Sequence, residues 1–269
     1  MDQEAMFVLG PHRTGTSTVA GLLKILGVDL GSDEELMPAH PTNPKGFFEH
    51  IGLNEVNILI MEKFGGVWFR PPSFVSGWES SSEMEELRNK ATEVLERAFG
   101  KSPLWGFKDP RTCLLFPFWR SIIRHPIRCV IVVRNPLDAS LSLLSRNGTP
   151  IEEGATLWLS HIKGALRGSQ GLARHIVIYE DLLAHFDQEL NRLAEFVGRA
   201  IDPEVRLKAR DFVEPSLQHH QTTSAQMKAH PELPKAAREA YMAMRLLAHS
   251  VRKGETDFST VDDVPMEST

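Results

Sequence analysis

The chain has 269 residues, 42% of them hydrophobic and 24% charged, with a formal net charge of −5 and two cysteines. That is enough chain for one substantial core. The acidic balance offers no basic field for a nucleic-acid backbone, and two cysteines cannot staple a disulfide-dense secreted scaffold.

Cys113 and Cys129 each sit in an apolar context, and the chain has no CxxC pair, so they read as buried reduced thiols rather than a zinc or redox site. No stretch reaches the roughly 20 apolar residues a membrane span needs. The opening MDQEAMFVLG has neither the basic leader nor the long apolar segment of a secretory signal. The expectation is a soluble protein of the cytoplasm with no membrane partner.

Residues 6–10 form a short apolar run ending in glycine and read as a buried strand. Val19, Leu22, Leu23 and Leu26 then recur at helical spacing, and Gly27 stops that helix. Residues 31–50 are rich in Pro, Gly and Asn and read as an ordered loop. Residues 51–64 look helical. An irregular excursion over 65–82 carries Trp68, Phe69, Phe74 and Trp78, and residues 83–99 form an amphipathic helix.

Strands are expected over 104–107, 129–133 and 176–179, with helices over 136–146, 151–167, 187–198 and 234–249. The run at 129–133 has no polar alternation, which fits a parallel sheet covered on both faces. Strands alternating with helices predict an α/β domain: a P-loop-like three-layer fold with a central, mainly parallel sheet flanked by helices. One domain is expected over 1–258. The polar stretch 215–233 reads as a loop, and 259–269 as a frayed tail.

The most informative segment is Gly10-Pro11-His12-Arg13-Thr14-Gly15-Thr16-Ser17-Thr18, between a strand and a helix. Successive amides at such a turn form an anion nest, reinforced by the positive end of the helix. Arg13 adds a fixed charge and a planar fork of donors. Thr14, Thr16, Ser17 and Thr18 add hydroxyls, and Gly15 can take a backbone conformation that larger residues resist. The segment nearly matches the nucleotide triphosphatase pattern GxxxxGK[ST], but Thr16 stands where that pattern has lysine. The strand at 129–133 ends in Arg134 rather than in an acidic metal partner. An ATP-dependent kinase is therefore the weaker reading.

A second anion site is expected at Arg134, at the carboxyl end of a strand where open α/β sheets place ligands. Pro136 suits the first turn of the following helix. Ser142 lies four residues beyond Asp138 and points to the same cleft. An Arg134–Asp138 ion pair is the competing structural role.

With these segments in place, the chain resembles the 3′-phosphoadenosine 5′-phosphosulfate (PAPS)-dependent sulfotransferases. It is most similar to bacterial-type members with an HRTGTS-like loop, an NPKGFFE segment, a KDPR segment and an RNPLDASLSL segment. Residues 6–28, 41–50, 106–111, 129–146 and 176–198 carry the resemblance, in order.

The resemblance implies sulfuryl transfer from PAPS to a hydroxyl of a small-molecule acceptor, with adenosine 3′,5′-bisphosphate as product and no metal. It implies that residues 13–18 bind the 5′-phosphosulfate, that Arg134 and Ser142 bind the 3′-phosphate, and that Tyr179 lies near the adenine. Residues Arg252, Lys253 and Gly254 are similar to a C-terminal basic loop that closes over the 3′-phosphate. Gln218 departs from the pattern, standing where related bacterial chains often have arginine.

Fixed donors aimed at the developing charge are expected from Arg13, Thr16, the loop amides and Lys108. Asp109 is a candidate to orient Lys108 or Arg13. For the general base, Glu49 resembles the acidic residue of bacterial members. His50 is the rival, because its ordinary pKa lies near working pH. His12 is a candidate to touch the transferring group or to cap the loop. His219 and His220 lack a metal-partner pattern. The aromatic excursion suits a partly apolar alcohol or phenol, or a sugar that stacks on it. A nucleotide-binding protein without catalysis is the third alternative.

Overall fold

The computed structural model describes residues 3–41, 43–213 and 221–253. Its elements follow in the order β1 (Glu4–Leu9), α1 (Thr16–Ile25), α2 (Ile51–Lys63), α3 (Glu85–Phe99), β2 (Leu104–Lys108), α4 (Thr112–Ile122), β3 (Ile127–Val133), α5 (Pro136–Asn147), α6 (Ile151–Gly168), β4 (Ala173–Ile178), α7 (Tyr179–Ala184), α8 (Phe186–Val197), α9 (Pro203–Phe212), α10 (Ser224–Ala229) and α11 (Lys235–Arg252).

The strands form one parallel sheet in the order β2-β1-β3-β4. Successive side chains of a strand point to opposite faces. Phe7 and Leu9 join Cys129, Ile131 and Val133 on one face, under α2, α3, α4, α6 and α11. Met6 and Val8 join Val130 and Val132 on the other, under α1, α8 and α9. With both faces buried, the strands need no polar alternation, and the protein is a three-layer α/β structure as expected.

The topology also sets the position of the cleft. From β1 the chain crosses to β2 on one side, then returns to build β3 on the other. Leu9 pairs with Ile131, so the loop after β1 and the turn after β3 emerge side by side at the carboxyl ends. That is the switch point where open α/β sheets bind ligands.

Several expectations change. The last strand ends at Ile178, and Tyr179 opens α7 instead of closing the strand. Helix α4 was not expected, because Pro117 lies inside it. Proline removes the hydrogen bond to the carbonyl four residues earlier, here that of Cys113. The α6 backbone packs directly over that carbonyl at Gly164, where an added Cβ would lie only 2.5 Å from the Cys113 oxygen.

Helix α9 carried start signals, with Asp202 capping it and Pro203 in its first turn. Its one fully buried residue, Ala209, leaves almost no apolar stripe to read. The polar stretch expected as loop contains α10, opened by a capping box between Thr223 and Gln226. In the 65–82 excursion, Trp78 is core rather than surface, stacked between Phe74 and Phe118.

Candidate active site

The loop between β1 and α1 is shaped by two left-handed residues, Arg13 at φ 65° and Gly15 at φ 87°. Such kinks before a helix N-terminus gather backbone N–H groups into an anion-binding concavity. Gly10 and Gly15 are both required by close approach. A Cβ on Gly10 would lie 2.6 Å from the Val132 carbonyl oxygen, and one on Gly15 would lie 2.2 Å from the Tyr179 ring. Tyr179 therefore forms the floor under the loop, and the Arg134 guanidinium lies 5.4 Å from its ring centre. The Thr14 hydroxyl is turned inward, donating to Pro11 O at 2.7 Å. Thr14 thus offers the cleft its backbone rather than its side chain.

The second anion site stands against the first. Arg13 Nε donates to Ser142 Oγ at 2.8 Å, and Arg134 donates to Arg13 O at 3.1 Å. The turn that holds Arg134 is built rigidly. Asn135 caps α5 by accepting from Leu137 N, its own N–H donates to Glu180, and its amide donates to Thr222. Asp138 accepts from both the amide and the hydroxyl of Thr222. Arg146, one helical turn beyond Ser142, adds a further positive charge that the sequence reading missed. Its i, i+4 spacing from Ser142 was the available signal. Burial, then Arg146 and Arg134, lower the Arg13 pKa to about 10. The loop thus holds like charges close together, an arrangement relieved by a polyanion.

On the α1 side of the loop lies a buried ion pair. Lys108 Nζ, at the end of β2, donates to Glu49 Oε1 at 2.6 Å and to Ser17 Oγ at 3.2 Å. Lys108 is 1% exposed and Glu49 6%. Asn54 Nδ2 donates both to Glu49 Oε2 at 2.9 Å and to Asp109 Oδ2 at 3.1 Å. Asn57 completes the frame by donating to Asp109 and accepting from Trp119 Nε1 at 2.9 Å. A buried charge pair needs further hydrogen bonds to be tolerable, and Ser17 and Asn54 supply one to each partner. Burial pushes the Glu49 carboxyl up, opposed by Lys108 and assisted by Asp109.

Not every predicted residue converges. Asp109 grips Arg111 and the asparagines of α2, rather than Lys108 or Arg13. His50 caps α2 on the other side, facing Glu35 and Phe99. Burial, the largest effect, lowers its pKa. Arg252 is held by Asp181 and Glu189, fastening α11 to α7 and α8. Thr16 is buried at the start of α1, and Thr18 is half-buried within its first turn. Lys253 is exposed. Gly254, Gln218, His219 and His220 lie outside the described residues.

No protein-family model matches this chain, and no curated protein matches it by sequence. Solved structures do share its fold. The sulfotransferase domain of the Synechococcus PCC 7002 olefin synthase is 16% identical, with a TM-score of 0.54 over 91% of this chain and 95% of that one. Sulfotransferase STF9 from Mycobacterium avium is 14% identical, with a TM-score of 0.51 over 91% of this chain and 76% of that one. The chain has the α/β fold of these sulfotransferase structures. No described helix is long and apolar enough to cross a membrane.

Proposed function

We propose that the protein is a PAPS-dependent sulfotransferase acting on a small hydroxyl acceptor. The observation that carries this reading is the contact between the two anion sites, Arg13 on Ser142 and Arg134 on the Arg13 carbonyl. A donor charged at both its 5′ and 3′ ends spans such a pair, whereas a nucleotide with a single phosphate chain uses only one. The fold shared with sulfotransferase structures supports the same reading.

In this reading, the loop amides of residues 13–18 hold the 5′-phosphosulfate, Arg134 and Ser142 hold the 3′-phosphate, and Tyr179 flanks the adenine. Arg13 lies between the two groups and serves both. The donor supplies an activated sulfuryl group, which passes to the acceptor oxygen as the sulfur–oxygen bond to the 5′-phosphate breaks.

The chain's own residues prepare both ends of that exchange. A lysine ammonium has three N–H donors. In Lys108 one is given to Glu49 and one to Ser17, which leaves a third for a sulfuryl oxygen. Glu49 has lone pairs left on both oxygens to receive the acceptor proton. Its raised pKa brings it toward the range where a general base is most effective. The Ser17 hydroxyl is held by an ammonium and by the Asn43 amide at 3.1 Å, a donor set that suits an anion better than a divalent cation.

The test is transfer of labelled sulfuryl from PAPS to a panel of alcohols and phenols in the presence of a metal chelator. A folded protein that binds neither PAPS nor adenosine 3′,5′-bisphosphate would sink the proposal. Mg²⁺-dependent ATP consumption would instead identify a kinase. Tight bisphosphate binding with no transfer to any acceptor would favour a nucleotide-binding protein without catalysis.

A further inference from the structure

Helix α2 faces the core with Leu53, Val56, Ile60 and Met61, yet it also buries two asparagines, Asn54 and Asn57. Asparagine is a weak helix former, and its amide is unfavourable to bury without partners. Both amides have partners, and those partners fix their orientation. An ionised carboxylate only accepts, so Asn54 must turn its NH2 group toward the two that it meets. It donates to Glu49 Oε2 at 2.9 Å and to Asp109 Oδ2 at 3.1 Å. Asn57 accepts from Trp119 Nε1, which only donates, so its own NH2 group faces Asp109 and Thr112.

Asp109 does not depend on Asn54. It also accepts from Asn57, from the Arg111 amide at 2.9 Å and from the Arg111 guanidinium at 3.1 and 3.2 Å. Glu49 does depend on it. Lys108 holds Oε1 at 2.6 Å, and Asn54 is the partner that the described residues give Oε2. The last torsion of a glutamate is broad, so a carboxyl anchored at one oxygen can turn. Anchored at both, its plane is set, and with it the direction of the remaining lone pairs.

The same bond bears on charge. A hydrogen bond donated to a carboxylate favours the ionised form. Burial disfavours that form of Glu49, as does the charge of Asp109, while Lys108 and Arg111 favour it. Asn54 donates to both carboxylates and so offsets part of their repulsion.

We propose that Asn54 is the positioning residue of Glu49, fixing the plane of its carboxyl and favouring its ionised form for proton abstraction. The role in transfer rests on the sulfotransferase reading. The hold on the carboxyl and on its charge does not.

The experiment uses the full chain with ¹³C-labelled glutamate and ¹⁵N-labelled asparagine, assigned through the backbone and titrated with pH. In the wild type, the Glu49 carboxyl carbon and the Asn54 amide protons are expected to move with one shared midpoint. In Glu49→Gln, the amide protons should lose that midpoint. Asn54→Leu is close in size and has no donor. In it the Glu49 midpoint is expected to rise by about one pH unit or more, the size of a hydrogen bond to a charged group. The acid limb of labelled sulfuryl transfer should move with it. Turnover on the alkaline plateau should fall about tenfold or more, as expected for a misdirected base. Calorimetry should show unchanged adenosine 3′,5′-bisphosphate affinity. Should Asn54→Leu fail to fold, the shared midpoint in the wild type still decides.

The proposal is overturned if the Asn54 protons do not follow the Glu49 titration, or if the Glu49 midpoint is unchanged or lower in Asn54→Leu. An unchanged alkaline plateau would overturn the fixing of the plane. Bisphosphate binding weakened as much as transfer is slowed would also overturn it, since Asn54 would then only brace the fold. A raised midpoint in a protein that neither binds bisphosphate nor transfers sulfuryl keeps the hold of Asn54 on Glu49 and removes its role in transfer. Transfer from PAPS with an unmoved midpoint removes the positioning role and leaves the sulfotransferase reading standing.

Discussion

Arg13 donates its Nε hydrogen to Ser142 Oγ at 2.8 Å, joining the loop after β1 to helix α5 across 129 residues of chain. The parallel pairing of β1 with β3 makes that contact possible, because the loop after β1 and the turn into α5 then leave the same end of the sheet. It also means that the two anion sites are one electrostatic unit. Anything that displaces the Arg134 turn disturbs the loop below it.

The first prediction concerns that unit. Arg134→Ala should weaken adenosine 3′,5′-bisphosphate binding by about 30-fold or more, since it removes a buried, hydrogen-bonded charge. Ser142→Ala should cost about tenfold or more, the value of one hydrogen bond to a charged group. Calorimetric titration measures both. Unchanged affinity in Arg134→Ala would remove that residue from the site.

Glu49→Gln should leave bisphosphate affinity intact and slow sulfuryl transfer by about 10²- to 10⁴-fold, the usual contribution of a general base. The pH profile gives an independent readout. Burial raises the carboxyl pKa above 4.5, so wild-type turnover should fall as pH drops through a midpoint above that value. The glutamine variant should lack this limb. Near-wild-type turnover at saturating acceptor would dismiss Glu49 as the base.

Gly15→Ala tests the backbone. The position has φ 87°, and the new methyl would run into the Tyr179 ring at 2.2 Å. A left-handed residue with a side chain costs about 1–2 kcal/mol before any clash. Urea unfolding should therefore show a loss of at least about 2 kcal/mol, and bisphosphate binding should weaken with it. Wild-type stability would mean that the loop is free to rearrange.

Stability should also depend on pH through His161. Its folded pKa is lowered from 6.5 to about 4, chiefly by burial, with Arg111 lowering it further while the Leu157 carbonyl and Asp109 act in the opposite sense. A depressed folded pKa means that the unfolded chain binds the proton more tightly. The stabilisation is thus fully present above pH 6.5 and is lost as pH falls toward 4. It amounts to about 3 kcal/mol. Urea midpoints measured across that window should fall in the wild type and fall less steeply in a folded His161→Phe variant, where His175, lowered to about 4 chiefly by burial, still titrates.

Much of the fold was legible because its signals are local. The unalternating run at 129–133, the helix stripe at Val19, Leu22 and Leu23, and the stop at Gly27 each follow from a few neighbouring residues. Helix α4 was not legible, because Pro117 lies inside it and reads locally as a helix break. The glycine loop and Arg134 could be singled out by residue type. The direction of the Arg13 side chain, toward Ser142 rather than Lys108, could not.

By itself the sequence determined the parallel α/β class and the two short segments rich in anion donors, since strand burial, helix periodicity and phosphate-loop chemistry are written in adjacent residues. Only the tertiary structure decided that Glu49 pairs with Lys108 while His50 faces away, and that His12 meets His161. Those meetings depend on which loops the strand order brings to the same end of the sheet, a long-range outcome of packing that no local pattern encodes.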